Sequence, residues 1–370
     1  MLAPEISRNQ HLESHHVTDL FHNPMGTDGF EFVEYTAPDT AALGRYFETL
    51  GFRAVARHRS KNVTLYRQND VNFIVNAEPD SHGARFARAH GPSACAMAFR
   101  VKDAGKAHAM ALKNGAKAYE GKVGPMELNI PAIEGIGGSL IYFVDRYGPG
   151  ELSIYEVDFV PTDVTKGFVH DGVGLTEIDH VTHNVYRGNM DKWAGFYEKL
   201  FNFREIKYFD IEGKLTGLKS RAMTSPCGKI RIPINESSDD KSQIAEYLAE
   251  YKGEGIQHIA LGTENIYETV EKARKLGVAF QSTIDTYYEG IDKRVPNHGE
   301  DLARLKRNHI LIDGGPDDGL LLQIFTQNAI GPIFFEIIQR KGNNGFGEGN
   351  FKALFESIEL DQIRRGVLKA

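Results

Sequence analysis

Two histidines and one glutamate in the second half of the chain could together bind a metal ion. His180 in IDHV and His258 in QHIA lie in strand-like runs with matching local patterns. Glu336 is the one carboxylate in the apolar run GPIFFEIIQ, and burying an ionised carboxylate without a partner is costly. Two imidazoles and a carboxylate are the ligand set of non-haem Fe(II) oxygenases, and zinc hydrolases can use the same three ligand types.

Neighbouring side chains compete for these roles. Arg340 is near Glu336 in sequence, but four residues of extended strand separate the two by about 13 Å, too far for an ion pair. His183 follows His180 by three residues and therefore points to the other face of the strand. The repeat alignment places Glu34 and Ala96 at approximately the equivalent positions of the first half, so only the second half keeps the histidine pair.

The surroundings of the three ligands favour iron over zinc and predict an aromatic ligand. No H-E-x-x-H motif supplies the general base that zinc hydrolysis normally needs. Neutral hydrogen-bonding groups and rings suit a planar aromatic molecule with polar ends. The residues that could provide them are Ser220, Asn235, Gln243, Gln257, Gln323, Phe325, Phe334 and Phe351.

Internal repeats indicate how these residues are positioned. FETLGFR in the first half matches YEKLFNFR in the second, with Glu48 and Glu198 aligned, and the run from Val101 matches the run from Thr263. Each half subdivides into two units of a strand, an amphipathic helix and three strands, with extra material in the last unit. The sequence therefore predicts an α+β fold in which paired βαβββ units form curved, open, barrel-like sheets.

The linker between the halves and the end of the chain can also be identified. Pro161–Gly174 is rich in Gly, Asp and Thr and lacks strand or helix periodicity, which predicts a linker. GFGEGN at 345–350 lacks the third glycine of a dinucleotide-binding turn, so Asn350 is interpreted as the N-cap of a last helix. This helix, with Leu354 and Phe355 on its apolar face, could close over an active site as a lid.

Composition excludes several classes of protein. The chain has 370 residues, with 43 Lys and Arg against 50 Asp and Glu, and the net charge of −7 argues against binding to nucleic acid or to an anionic membrane. The two cysteines, Cys95 and Cys227, exclude a disulfide framework or a cysteine-rich metal site and favour a reducing compartment. Without a signal-like N-terminus or a run of about 18 apolar residues, we expect a cytoplasmic protein.

Ordered segments across the second half carry a resemblance to a known family. These are IDHVTHNVYRG, GLKSRAM, RIPINE, KSQI, GEGIQHIAL, LLLQIFT, FFEIIQRKG and GFGEGNFKALFESIE. Together they resemble the bacterial type of the 4-hydroxyphenylpyruvate dioxygenase family, in the vicinal-oxygen-chelate superfamily. The resemblance implies a domain without a metal site at residues 1–160, a linker at 161–174, and a catalytic domain at 175–370 with a C-terminal gating helix.

The resemblance also implies roles for the residues singled out above. His180, His258 and Glu336 match the family's iron ligands, with one Fe(II) per chain. Ser220, Asn235, Gln243, Gln257 and Gln323 match polar positions of the substrate pocket, and Phe325, Phe334 and Phe351 match its rings.

The family's reaction gives the expected function. It converts 4-hydroxyphenylpyruvate and O2 to homogentisate and CO2, by oxidative decarboxylation, ring hydroxylation and side-chain migration, in tyrosine and phenylalanine catabolism. Family members are homo-oligomers, either dimers or tetramers. Three alternatives stay open: a 4-hydroxymandelate synthase, which hydroxylates the side chain instead, a metal-free protein that binds small aromatic molecules, and a zinc enzyme of the glyoxalase type.

Overall fold

The first half of the chain forms one curved sheet with helices against it. The computed structural model describes residues 18–353 apart from 125, 149, 165, 169, 213–216, 239–241 and 316. Leu354 and Phe355 of the predicted lid lie outside these residues. The elements of the first half are β1 (Thr27–Thr36), α1 (Thr40–Thr49), β2 (Arg53–His58), β3 (Val63–Gln68), β4 (Val71–Asn76), α2 (His82–His90), β5 (Ser93–Val101), α3 (Ala104–Lys113), β6 (Ala118–Tyr119), β7 (Ala132–Glu134), β8 (Leu140–Val144), α4 (Ile154–Asp158) and β9 (Phe159–Pro161).

The second half repeats this order and adds three short helices before its last three strands. Its sheet begins after the predicted linker, of which residues 165 and 169 are not described. The elements are β10 (Leu175–Val185), α5 (Met190–Phe201), β11 (Arg204–Glu212), β12 (Gly217–Thr224), β13 (Arg231–Ser237), α6 (Gln243–Tyr251), β14 (Gly255–Thr263), α7 (Ile266–Leu276), α8 (Asp285–Glu289), α9 (Ile291–Arg294), α10 (Leu302–Asn308), β15 (Leu311–Gly315), β16 (Gly319–Phe325) and β17 (Phe334–Lys341).

Strand order shows how two βαβββ units combine in each sheet. In the described part of the chain, the second sheet has the order β11-β12-β13-β10-β14-β17-β16-β15. The opening strands β10 and β14 pair antiparallel at the centre, and the last strand of each unit returns parallel to its opening strand. The first sheet has the same centre, made by β1 and β5. The predicted α+β fold of paired βαβββ units is confirmed.

Amphipathic helices cover one face of each sheet. On α5, for example, Trp193, Tyr197 and Leu200 are buried at helical spacing. Helix α7 ends at Gly277, whose φ of 105° is favourable only without a side chain. Among the described helices, none combines the length and the apolar character that a membrane span requires.

The core is continuous between the two halves. Phe335 on β17 is fully buried and packs against Tyr35, Tyr46 and Phe73 of the first half. Side chains alternate along a strand, so the neighbours of Phe335 on β17 point to the other face. That face is the concave side of the second sheet.

A bulge in each central strand pair fixes which residues of the two halves correspond. The register of β10 with β14 shifts between Ile178 and His180, leaving Asp179 as the extra residue. The register of β1 with β5 shifts in the same way around Glu31.

This register corrects the expected equivalence of Glu34 with His180, which is wrong. His180 pairs with Ala260, and its counterpart is Phe32, which pairs with Ala98. The expected equivalence of Ala96 with His258 agrees with the register. Tyr142 on β8 occupies the place of Glu336. The first half therefore has Phe, Ala and Tyr at the three positions where the second has His, His and Glu.

Candidate metal centre

Three neighbouring strands at the centre of the second sheet carry His180, His258 and Glu336. Their ligand atoms all lie within 4.8 Å of one another, and all three side chains are buried. Nε2 of His180 lies 3.2 Å from Oε2 of Glu336, and Nε2 of His258 lies 3.4 Å from the same oxygen. The pairing of β10 with β14 and of β14 with β17 brings together residues that are up to 156 apart in sequence.

The other nitrogen of each imidazole has a partner that fixes the ring. Nδ1 of His180 lies 2.8 Å from Oδ1 of Asp179, and Nδ1 of His258 lies 2.9 Å from Oε1 of Gln257. A carboxylate or amide oxygen accepts a hydrogen bond, so both Nδ1 atoms carry the hydrogen. Both Nε2 lone pairs are then free to face a metal ion.

Charge in the centre is concentrated on Glu336. Burial would raise the pKa of Glu336, but His180 and His258 outweigh burial and hold that pKa at about 2. Burial lowers the pKa of His180, but the carboxylates of Glu336 and Asp179 reverse this effect and raise it. Burial lowers the pKa of His258, with only partial compensation by Glu336. The glutamate is therefore an anion at neutral pH, and its charge is directed at the histidines.

Two imidazole nitrogens and a carboxylate oxygen that converge in a buried place could hold a metal ion. The donor set fits a divalent transition metal such as iron or zinc, because all three donors suit these ions and the carboxylate offsets part of the charge. The guanidinium of Arg340 forms its ion pair with Asp179 and not with Glu336, on which it acts only as a more distant charge. His183 also lies apart, with Nε2 2.6 Å from the hydroxyl of Tyr197 on α5.

A cavity opens next to the three ligands on the concave side of the sheet. Of the residues expected in a substrate pocket, five line it together with the ligands: Ser220, Asn235, Gln323, Phe325 and Phe351. Gln323 also donates from Nε2 to Oε1 of Glu336 over 3.4 Å. Phe334 stacks on the ring of His258 with centroids 4.8 Å apart and so forms part of the surroundings of the metal site.

Two predicted pocket residues lie elsewhere. Gln257 points to Nδ1 of His258 and not to the cavity. Gln243 is exposed at the first position of α6 and is not part of the cavity wall.

The cavity wall also contains residues that the sequence analysis missed. Thr182 could have been found, since it follows His180 by two residues and shares its face. Besides Thr182, the missed wall residues come from other strands and from the C-terminal segment, whose positions depend on the folded sheet. They are Phe209, Leu218, Pro233, Phe346 and Glu348.

The C-terminal segment closes one side of this cavity. Helical residues begin at 348, so the prediction of Asn350 as the N-cap is wrong, and Asn350 lies in the first turn. Its side chain is buried, because it donates to Oε1 of Gln323 over 3.1 Å and accepts from the hydroxyl of Tyr287 over 2.6 Å. Both ends of this buried amide are hydrogen-bonded, as buried polar groups normally are.

Family models match both halves of the chain. Residues 21–160 match the model for the N-terminal part of hydroxyphenylpyruvate dioxygenase, and residues 177–291 match that of the glyoxalase, bleomycin resistance protein and dioxygenase superfamily. A 4-hydroxyphenylpyruvate dioxygenase from Pseudomonas aeruginosa is 64% identical over 94% of this chain and 98% of its own length. The chain belongs to the 4-hydroxyphenylpyruvate dioxygenase family.

Further relatives of this dioxygenase family member differ in their names. A protein of Vibrio vulnificus named hemolysin VllY is 66% identical over 94% of this chain and 98% of its own length. The structure of a mutant of 4-hydroxymandelate synthase from Streptomyces coelicolor superposes with a TM-score of 0.77 at 26% identity, covering 91% of this chain and all of the other. The identity to the dioxygenase is thus far higher than that to the synthase.

Proposed function

We propose that this chain is an Fe(II)-dependent dioxygenase that converts 4-hydroxyphenylpyruvate and O2 to homogentisate and CO2 in tyrosine catabolism. One Fe(II) per chain is held by His180, His258 and Glu336. The observation that supports this most is the convergence of these side chains at the wall of a cavity lined by amides, a hydroxyl and rings. When bound, Fe(II) supplies the redox chemistry that activates O2 and binds the 2-oxo acid of the substrate.

The cavity residues orient the substrate. Ser220, Asn235 and Gln323 offer hydrogen bonds to the oxygen atoms of a phenolic 2-oxo acid, and Phe325 and Phe351 offer faces and edges to its ring. Phe325 lies near the ring of His258, with centroids 6.4 Å apart, so a substrate ring beside it would be close to the metal.

The C-terminal helix would act as the lid. The cavity holds about 50 Å³, which is space for a few water molecules and less than the roughly 150 Å³ that accommodates one benzene. A substrate with a ring and a 2-oxo acid side chain therefore needs part of the wall to move. Phe346 and Phe351 lie on the wall segment at the start of the C-terminal helix. Movement of this segment would admit the substrate, and its movement back over the cavity would exclude water.

The experiment that tests this function is anaerobic loading with Fe(II), followed by O2 uptake and product identification with 4-hydroxyphenylpyruvate. Homogentisate and CO2 formed with O2 uptake are expected. Hydroxymandelate would assign the chain to the synthase reaction, and binding of the substrate without O2 uptake would indicate a binding protein. Activity with zinc but not with iron would indicate a glyoxalase-type enzyme.

We also propose that the protein works in the cytoplasm as a dimer or tetramer. Cys95 and Cys227 are both buried and free, which agrees with a reducing compartment. Light scattering coupled to size exclusion gives the oligomeric state directly.

A further inference from the structure

Arg340 lies between the metal ligand His180 and the C-terminal segment. Its Nε is 2.7 Å from Oδ2 of Asp179 and its Nη2 is 2.8 Å from Oδ1, so the guanidinium binds the carboxylate in bidentate fashion. Its remaining nitrogen, Nη1, donates to the backbone carbonyl oxygens of Gly345 over 2.7 Å and of Asn343 over 3.1 Å. A single side chain thus connects a buried carboxylate to a loop.

Asp179 passes this contact on to the metal ligand. Asp179 is the extra residue of the β10 bulge, which turns its carboxylate beside the neighbouring ring of His180 rather than to the opposite face. Only 5% of the residue is exposed, so the carboxylate depends on protein partners. Besides Arg340, it accepts from Nδ1 of His180 and has a longer contact of 3.3 Å with Arg231. The bidentate arginine therefore determines where the carboxylate points.

The loop held by Arg340 returns to the same imidazole. The guanidinium carbon of Arg340 is 5.7 Å from the centre of the Phe346 ring, and this ring meets His180 edge to face with centroids 5.4 Å apart. Phe346 also lines the cavity. Arg340 thus contacts two residues that each touch His180. One is Asp179, which hydrogen-bonds the imidazole, and the other is Phe346, whose ring packs against it.

We propose that Asp179 and Arg340 are positioning residues, which orient His180 for metal binding and couple that orientation to residues 343–346 of the cavity wall. The inference rests on the proposed Fe(II) centre and adds two residues that contact neither metal nor substrate. A carboxylate that orients a metal-bound histidine typically contributes 10–100-fold to metal affinity. Formation of the metal site and closure of the wall at Phe346 then favour each other.

The first half of the chain contains a matched control. Glu31 is the extra residue of the equivalent bulge in β1, and its carboxylate pairs with Nε of Arg100 over 2.6 Å. The next residue is Phe32, so this acid and arginine support no histidine. Glu31→Gln therefore removes a bulge carboxylate with a structural role alone, whereas Asp179→Asn removes one with a structural and a positioning role.

The test measures Fe(II) affinity anaerobically, by competition with a chromophoric chelator, in the full-length protein. We expect Fe(II) binding to weaken about 10–100-fold in Asp179→Asn and in Arg340→Gln, and to stay within about twofold of wild type in Glu31→Gln. If both residues act as one unit, the Kd of the double variant for Fe(II) should exceed that of the weaker-binding single variant by no more than about threefold. Single variants with wild-type affinity, or fully additive losses, would overturn the proposal.

Hydrogen exchange provides a readout of the coupling to the cavity wall. In the wild type, Fe(II) should slow amide exchange at residues 343–350, and in Arg340→Gln this slowing should be smaller. Arg340→Lys serves if the Gln variant does not fold, since it keeps a charge beside Asp179 but cannot contact both carboxylate oxygens and both carbonyls. If Fe(II) bound wild type and Arg340→Lys with equal affinity and slowed amide exchange at residues 343–350 equally in both, the proposal would be contradicted.

Measurements on the wild-type protein distinguish a failure of the proposed function from a failure of the positioning roles. If it binds no Fe(II), the proposed function fails and this inference fails with it. If it binds Fe(II) and both variants bind equally well, the positioning roles fail while the proposed function stands.

Discussion

Asn350 and Gln323 are joined by a hydrogen bond of 3.1 Å from the side-chain amide of Asn350 to Oε1 of Gln323. Gln323 uses its own amide to contact Glu336, and Asn350 accepts from Tyr287. The first turn of the C-terminal helix is therefore connected to a metal ligand through one intervening side chain. This connection is separate from the one through Arg340 and Asp179, so the end of the chain contacts the supports of two of the three ligands.

Replacement of Asn350 should affect turnover more than metal binding. Asn350→Ala leaves Oε1 of Gln323 without its buried donor, which should destabilise the fold by about 1–3 kcal/mol. The Tyr287 hydroxyl keeps its contacts with Ile312 and Arg294. We expect kcat/KM to fall by roughly 10- to 100-fold through misplacement of the cavity wall. Fe(II) affinity should stay near that of the wild type, because the ligands keep their direct hydrogen-bond partners Asp179, Gln257 and Gln323.

Tyr287→Phe is the comparison variant: it loses the contacts of the hydroxyl with Asn350, Ile312 and Arg294 but leaves that of Asn350 with Gln323. It should destabilise the fold with a smaller loss of kcat/KM, and a larger loss of kcat/KM would contradict the role of the contact with Gln323.

Gly347 should not tolerate a side chain. Its φ of 76° is unfavourable for other residues by about 1–2 kcal/mol, and a Cβ atom there would overlap the amide of Gln323. Gly347→Ala is expected to lower stability and kcat/KM together. Gly188→Ala is the matched control, because its φ is 87° and no atom lies within 4 Å of the added Cβ. Equal destabilisation of both variants, measured by denaturant unfolding, would show that the contact with Gln323 is not important.

The sequence predicts the features that depend on local pattern. Short sequence patterns mark the proposed ligands, namely IDHV and QHIA around the histidines and an apolar run around Glu336, and each unit repeats the order of strand, helix and three strands. Both signals are short-range, since burial alternates along a strand and repeats along a helix. For this reason the α+β architecture and the convergence of His180, His258 and Glu336 could be anticipated without coordinates.

Register and long-range contacts could not be anticipated in the same way. Phe32 and Glu34 are two residues apart on β1 and point to the same face, so alternation cannot show which of them corresponds to His180. The position of the bulge at Glu31 shows that it is Phe32. Asp179 and Arg340 are 161 residues apart, and no local pattern connects them. Asn350 resembles an N-cap in sequence, but the buried partners Gln323 and Tyr287 determine its place.

Removal of the Glu336 side chain should abolish metal binding and turnover without unfolding the protein. Glu336→Ala eliminates the anionic ligand, whose carboxylate lies within 3.4 Å of both histidines. In the wild type, Fe(II) at about 100 times its Kd should stabilise the fold by about 2.7 kcal/mol, and a chelator should reverse this gain. The variant should show neither this stabilisation nor O2 uptake, while its circular dichroism stays unchanged. Near-normal O2 consumption in the variant would refute the ligand set.

His183 should make the protein less stable in acid. Burial lowers the pKa of His183 to about 3, from an ordinary value of 6.5. Below about pH 6.5 the unfolded chain binds a proton that the folded chain does not. The free energy of unfolding therefore decreases as the pH is lowered. The stabilisation is complete above that pH and is lost by up to about 1.4 kcal/mol for each unit of pH below it.

The stability difference between wild type and His183→Leu should change with this slope between pH 6 and about pH 4. Tyr197→Phe removes the hydrogen-bond partner of His183 but no group that titrates in this range, so its stability should stay parallel to that of the wild type. Parallel curves for wild type and His183→Leu would show that the histidine is not held neutral in the folded protein.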